Sequence, residues 1–319
     1  MVNPFYEPVD ASVMPRFADV ATFMRTKRVD ISSEIDIGLV GVPFDIGLNY
    51  RGGPREGPGA IRHSSRLIRQ VHQTSGIEPY KLCNIADLGD APINPMNKDV
   101  SIQQIEDFFA RLKAEAIRPI AIGGDHTIPT PILRGIASDG PVGILHVDAH
   151  ADTLDEFCGD KVNHATFMRR AHEEKLIDPA RTVQLGLRGS RFSQDDIQYG
   201  IDAGFTVITF EDYEDMGRAE AIKIINRVIG TANTYVSIDI DGLDPAHCPG
   251  TPVPEIGGIT PRDMQVIIRS LQGTDVIGAD ISEVAPCYDN ASGMTAIAAA
   301  NLMFELACIM AFAVAAQTR

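Results

Sequence analysis

Aliphatic and β-branched residues gather in eight short runs, at residues 35–42, 82–88, 119–122, 142–147, 182–187, 206–210, 235–238 and 275–281. Most runs are continuous rather than alternating, the pattern of strands covered on both faces, and they predict a parallel sheet between helices. Segments of helical period separate them. Over 101–117, Ile102, Ile105, Phe108, Phe109 and Leu112 mark one apolar face. Ser101 and Gln104 read as a capping box there, with Val100 and Ile105 as a hydrophobic staple. A second helix is predicted from Thr260, with Pro261 at its first position, Asp263 in its first turn, and Met264, Val266, Ile267 and Leu271 facing inward. No linker or repeat interrupts the alternation, so one α/β domain spans residues 1–319, with residues 1–34 as an extension packed on it.

The stretch from Met294 to Ala316 is apolar enough to raise a membrane span. Asn301 and Glu305 interrupt it, at a cost a bilayer would not offset, so it reads as a buried core helix. Residues 1–30 lack the apolar core of a signal peptide. The five cysteines (83, 158, 248, 287 and 308) form no CxxC pair and fit a reducing compartment. A net charge of −15 argues against nucleic acid and anionic membranes as partners. These features together predict a soluble cytoplasmic protein.

The candidate chemistry lies where three predicted strands end. Gly123-Gly124-Asp125-His126, Asp148-Ala149-His150-Ala151-Asp152 and Asp239-Ile240-Asp241-Gly242-Leu243-Asp244 each follow such a run. The carboxyl edge of an open parallel sheet is where ligands bind. Positions two apart in extended chain point the same way, so Asp148, His150 and Asp152 converge, as do Asp239 and Asp241. Four carboxylates cannot crowd together without compensating cations. With two imidazoles and no thiolate, the set is hard and oxygen-rich and suits Mn²⁺ better than structural Zn²⁺. There are donors enough for two ions, and such a pair activates water near neutral pH. His146 reads as a packing or hydrogen-bonding neighbour of Asp148. Asp125 and Asp244 read as ligand-orienting or turn-capping residues, and Arg51 as a residue lining the site mouth or holding its loop. His63, His72 and His172 read as surface positions on helices, and His247 as a loop residue near the site.

These segments, with Ser237 to Thr251 as an SxDxDxxDPxxxPGT run, resemble the ureohydrolases: arginase, agmatinase and the guanidino-acid hydrolases. The resemblance runs from Gly41-Val-Pro-Phe-Asp45 to Ile281-Ser-Glu-Val-Ala-Pro286. It implies a three-layer α/β/α fold with an eight-stranded parallel sheet, a homohexamer, and hydrolysis of a guanidinium group to urea and an amine at two Mn²⁺ per subunit. Carried over, one ion takes His126, Asp148, Asp152 and Asp239, and the other Asp148, His150, Asp239 and Asp241, with Asp148 and Asp239 bridging. Asp241 counts with His164 and Glu283 among the catalytic residues. Glu283 matches the carboxylate that grips the guanidinium, and His164 the histidine that relays protons.

Two departures bear on the substrate. The family's HGT is His164-Ala165-Thr166 here, and its PGTxTPE is Pro249-Gly-Thr-Pro-Val-Pro-Glu255. The loop from Thr153 to Asn163 lacks the arginase pattern for gripping an α-amino acid. The overall pattern, including Pro15-Arg-Phe and Thr22-Phe-Met-Arg25, is similar to bacterial guanidinobutyrases and guanidinopropionases, and that resemblance implies 4-guanidinobutyrate as the substrate, with agmatine and guanidinopropionate as alternatives. Lys161 is the candidate for its carboxylate. A zinc deacetylase on a related sheet would lack the full donor set and Glu283, and a non-catalytic partner subunit would have lost at least one donor.

Overall fold

In the computed structural model, which describes residues 5–317, the eight runs become eight strands of one parallel sheet. They are β1 (Ile37–Val42), β2 (Ile85–Asp90), β3 (Arg118–Gly123), β4 (Val142–Val147), β5 (Ile177–Leu187), β6 (Thr206–Thr209), β7 (Thr234–Asp239) and β8 (Val276–Ser282). Their order is β2-β1-β3-β8-β7-β4-β5-β6. The α-helices are α1 (Gly57–Ser64), α2 (Lys98–Ala114), α3 (Pro129–Ile136), α4 (Phe167–Glu173), α5 (Asp195–Ala203), α6 (Phe210–Ile229), α7 (Pro261–Ser270) and α8 (Met294–Gln317). Alternate strand residues feed two cores. Ile37 and Leu39 of β1 join the core beneath α1, α6, α7 and α8, whereas Val40 and Val42 join the one beneath α2, α3 and α4. The result is the three-layer α/β/α arrangement expected.

The differences from the sequence reading are local. Helix α2 starts three residues early, because the Asn97 side chain caps it by accepting from Val100 N. Ser101 is therefore interior, and its hydroxyl donates to the Asn94 and Asn97 carbonyls. Val100 is exposed, so no staple forms. Helix α7 has the expected cap, with Thr260 accepting from Asp263 N. Strand β5 begins five residues before the apolar run and crosses Pro179, which its polar start conceals.

Helix α8 is the one described helix long and apolar enough to cross a membrane, yet 72% of its most apolar window is buried within the protein. Glu305 lies in the buried part and is not left as a lone charge. Arg269 grips it through Nε at 2.8 Å and through Nη2, and His72 Nε2 lies 3.0 Å away. That corrects the reading of His72. It is buried, outside any helix, and pairs with the carboxylate that made the membrane reading untenable. His63 is exposed on α1 as expected, whereas His172 on α4 is half-buried and bonds Tyr199 at 2.8 Å.

Candidate metal centre and active site

Four adjacent central strands, β3, β8, β7 and β4, end at one place. The turn after β3 carries His126, that after β4 carries Asp148, His150 and Asp152, β7 ends in Asp239 with Asp241 beyond, and β8 leads into Glu283. Backbone closeness makes the cluster possible. A β-carbon on Gly124 would fall on the Phe44 carbonyl oxygen, so only glycine fits behind His126.

His126 Nδ1 lies 3.0 Å from Asp148 Oδ2, 2.9 Å from Asp152 Oδ2 and 3.4 Å from Asp239 Oδ2. Yet Nδ1 and Asp152 Oδ2 are both buried without a hydrogen-bond partner. They sit side by side and face a common point. Neighbouring ligands of an octahedral ion bonded at about 2.1 Å lie about 3 Å apart, so the spacing fits a cation. Around a second point, His150 Nδ1 lies 3.2 Å from Asp241 Oδ2 and 3.4 Å from Asp148 Oδ1. Asp148 turns one oxygen to each group, the disposition of a bridging ligand. All six expected residues thus come together, five of them buried and His150 partly exposed, with Asp239 joining through His126.

Burial and charge make the cluster unstable as bare acids and bases. Burial raises Asp148, but His126, His146 and His150 overcome it and hold the carboxyl well below its usual range. Burial, then Asp241 and Asp148, push Asp239 well above it. Carboxylates driven apart in this way share too little positive charge, which divalent cations would supply.

Neighbours the sequence reading missed hold the ligands in place. Ser237 Oγ bonds His126 Nε2 at 2.9 Å, leaving Nδ1 for the cluster. Gln184 Nε2 is fixed by the Ala151 carbonyl at 2.8 Å and donates to His146 Nδ1 at 3.0 Å. His146 Nε2 then carries the proton and donates to Asp148 Oδ2 at 3.0 Å. Both His146 nitrogens are used, so it orients Asp148 rather than binding a metal. Arg188 spends its guanidinium on the carbonyls of Gly186, Asp241, Gly242, Leu243 and Glu255, which pins the loop bearing Asp241. Glu255 Oε1 lies 3.9 Å from His150 Nε2 and reaches behind that ligand. Ser237 was legible: it lies two residues before Asp239, on the same face of β7. Arg188 and Glu255 gave no such signal.

Glu283 sits in the left-handed backbone region (φ 60°), held there by its N–H donating to the Gly124 carbonyl at 2.8 Å. Its Oε1 accepts from His126 N at 2.8 Å, while Oε2 is buried and unpartnered. Burial and then Asp125 push its carboxyl well above the usual range, so it favours a cationic partner. His164 Nε2 bonds Asn49 Oδ1 at 2.9 Å, so Nδ1 faces Glu283 Oε1, 4.0 Å away, with a free lone pair. Burial, then His150 and His126, lower His164 to about 4. It is neutral at physiological pH and can donate only a proton it has first taken up.

The other expected residues take supporting places. Asp125 accepts from Gly47 N and Thr127 N, and Asp244 from Ala246 N, so both fix turns. Arg51 holds the Thr251–Pro252 carbonyls and stacks on Tyr288, fixing its loop. His247 is exposed in a turn. Lys161 is 59% exposed, with its Nζ 3.6 Å from Asp155. A cavity of about 440 Å³ opens over His150 and Asp152; Lys161 does not line it, and the cations in its wall are Arg188 and Arg191.

Comparison with known proteins places this geometry. The model of the arginase family matches residues 35–308. The chain is 44% identical to guanidinopropionase of Pseudomonas aeruginosa, covering 98% of each protein. It is 41% identical to guanidinobutyrase of the same organism, covering 97% of this chain and 98% of the relative. Proclavaminate amidino hydrolase from Streptomyces clavuligerus superposes with a TM-score of 0.90 at 36% identity, over 94% of this chain and 99% of that one. A parallel sheet whose central strands bring together a His and Asp cluster able to hold metal, matched over almost the whole chain by such relatives, belongs to an enzyme of the arginase family of ureohydrolases.

Proposed function

We propose that the chain hydrolyses a short ω-guanidino acid to urea and the corresponding amino acid, with two Mn²⁺ held by His126, Asp148, His150, Asp152, Asp239 and Asp241. The observation that carries this reading is the buried, unpartnered Oε2 of Glu283, whose other oxygen, Oε1, lies 4.0 Å from His164 Nδ1. Bound there, the ions would supply Lewis acidity and lower the pKa of water at the site. The protein supplies position and proton transfer. Glu283 offers a carboxylate to a planar guanidinium, a directional charged pair that sets the carbon over the cluster. His164 Nδ1 is placed to take up a proton and hand it to the leaving amine.

Arg191 supports an acid rather than an amine as substrate. Neither cavity-wall arginine makes an ion pair among the described residues, but the carbonyls occupy Arg188, whereas the Arg191 guanidinium makes no hydrogen bond there. The two Pseudomonas relatives are named for guanidino acids. The sequence reading favours 4-guanidinobutyrate, and the higher identity belongs to the guanidinopropionase. Both compounds fall in the proposed class.

Chelated protein reloaded with Mn²⁺ or Zn²⁺ and assayed for urea on a panel of guanidino compounds tests the reading. Mn²⁺ should restore activity, and one of these two acids should exceed agmatine and arginine in kcat/KM by more than tenfold, the scale of about 1.4 kcal/mol. A higher value for agmatine would overturn the substrate class. Arg191→Met should raise KM for the acid with little change in kcat, since the carboxylate contact is the same in ground and transition states.

Glu283→Gln keeps the shape and removes the charge. A charged hydrogen bond contributes about 1.5–3 kcal/mol, so kcat/KM should fall roughly ten- to a hundredfold with metal content unchanged. Unaltered kinetics would show that the guanidinium binds elsewhere.

A further inference from the structure

The N-terminal segment encloses a second cavity, of about 310 Å³, against the chain that follows α1. No residue of the metal cluster lines it. Three arginines do: Arg16 and Arg25 from the segment, and Arg69 from beyond α1. The chain carries 43 acidic against 28 basic residues, and several of its arginines pair with carboxylates. Arg62 grips Asp87 and Asp90, Arg134 grips Glu174, and Arg269 grips Glu305. Among the described residues, Arg16, Arg25 and Arg69 have no such partner.

Arg25 is the most telling of the three. Its Nη2 donates to the Met14 carbonyl at 2.7 Å, which fixes the plane of the guanidinium. Its Nη1 is buried and has no hydrogen-bond partner. A buried donor without an acceptor is costly and calls for an explanation. Met24 and Arg25 both adopt the left-handed backbone region (φ 53° and 61°), where non-glycine residues are strained. One carboxylate, Asp10, also lines the cavity; its Oδ1 accepts from the Ser12 N–H and hydroxyl at 2.8 and 2.9 Å, and Arg25 is near enough to favour its charged form without forming an ion pair. Three guanidiniums against one carboxylate leave the cavity two charges positive in a protein of net charge −15.

We propose that this cavity binds a compact oxyanion with two negative charges, inorganic phosphate or the phosphate group of a small ester. Planar guanidiniums pair with phosphate oxygens through two parallel N–H donors, and several together make a phosphate pocket. The bound anion offsets the positive charge that the three guanidiniums bring to the cavity wall. It also ties residues 8–16 to Arg69, and so fastens the N-terminal segment to the domain.

Calorimetric titration of the metal-loaded enzyme with orthophosphate, at ionic strength held constant with chloride, tests this. One phosphate per chain should bind, with a saturable rise in Tm that chloride does not give. Arg25→Gln and Arg69→Gln should each weaken binding at least tenfold while urea release without phosphate stays unchanged. Arg69 is exposed, so its replacement cannot fail through misfolding. Glycerol 3-phosphate in a parallel titration identifies the source: tighter binding than orthophosphate assigns the site to an ester, and equal or weaker binding to free phosphate.

Three results would overturn the proposal. The first is a Tm rise no larger than that from chloride. The second is phosphate binding that survives both substitutions and inhibits urea release, which would put the anion at the metal cluster. The third is an oligomer that ignores phosphate but dissociates on Arg25→Gln or Arg69→Gln, which would make a carboxylate of a second copy the partner.

Discussion

Asp148→Ala should cost more urea release than any other single change in the site. Its two oxygens face different donor groups, Oδ2 toward His126 and Oδ1 toward His150. It also receives the His146 Nε2–H and the His150 backbone N–H, so its loss frees the groups that orient both halves. Loss of a group that merely supports a metal ligand typically costs about 10–100-fold in metal affinity or activity. Losing the ligand common to both ions should cost at least the product of two such losses, roughly 10²–10⁴-fold. Metal analysis should find fewer than two ions per chain, whereas the fold, held by two large cores on either side of the sheet, should persist by circular dichroism. A variant that keeps both ions and most of its activity would show that Asp148 bridges nothing.

For His164→Ala the expected loss lies in kcat rather than in metal. The imidazole bonds Asn49 and faces Glu283, with no hydrogen bond to any of the six donors, so both ions should stay. If the leaving amine takes its proton from this ring, kcat should drop by about 10²–10⁴. Free imidazole should restore part of the rate, which a merely structural role would not allow. Because burial and the cluster imidazoles hold the ring neutral down to about pH 4, its own protonation should not set an acid limb of activity above that pH. Full activity in the alanine variant would assign the proton transfer to another group.

The same residues show how far the sequence reaches. Runs of mostly aliphatic and β-branched residues make the strands recognisable, since a strand covered on both faces packs mainly apolar side chains. The six donors are legible for a related reason: residues two apart on extended chain share a direction, and four carboxylates need cations whatever surrounds them. Edges are less legible, because one Asn97 side chain moves the start of α2 by three residues and the polar beginning of β5 hides its length.

What tertiary structure alone decides is the alignment of residues distant in the chain. His146 lies level with Gln184 on one neighbouring strand and with Ser237 on the other, and Ser237 lies level with Asp280 beyond. That register builds a polar row beneath the cluster, and no spacing within one segment encodes it. His72 illustrates the same dependence, since a histidine in a polar stretch becomes buried only when α8 brings Glu305 to it. Lys161 lies beside the metal loop in sequence, and only the folded chain shows its carboxylate neighbour to be Asp155, 3.6 Å away. Local chemistry is written in the order of residues. Which charges become neighbours depends on how the sheet sets its strands side by side.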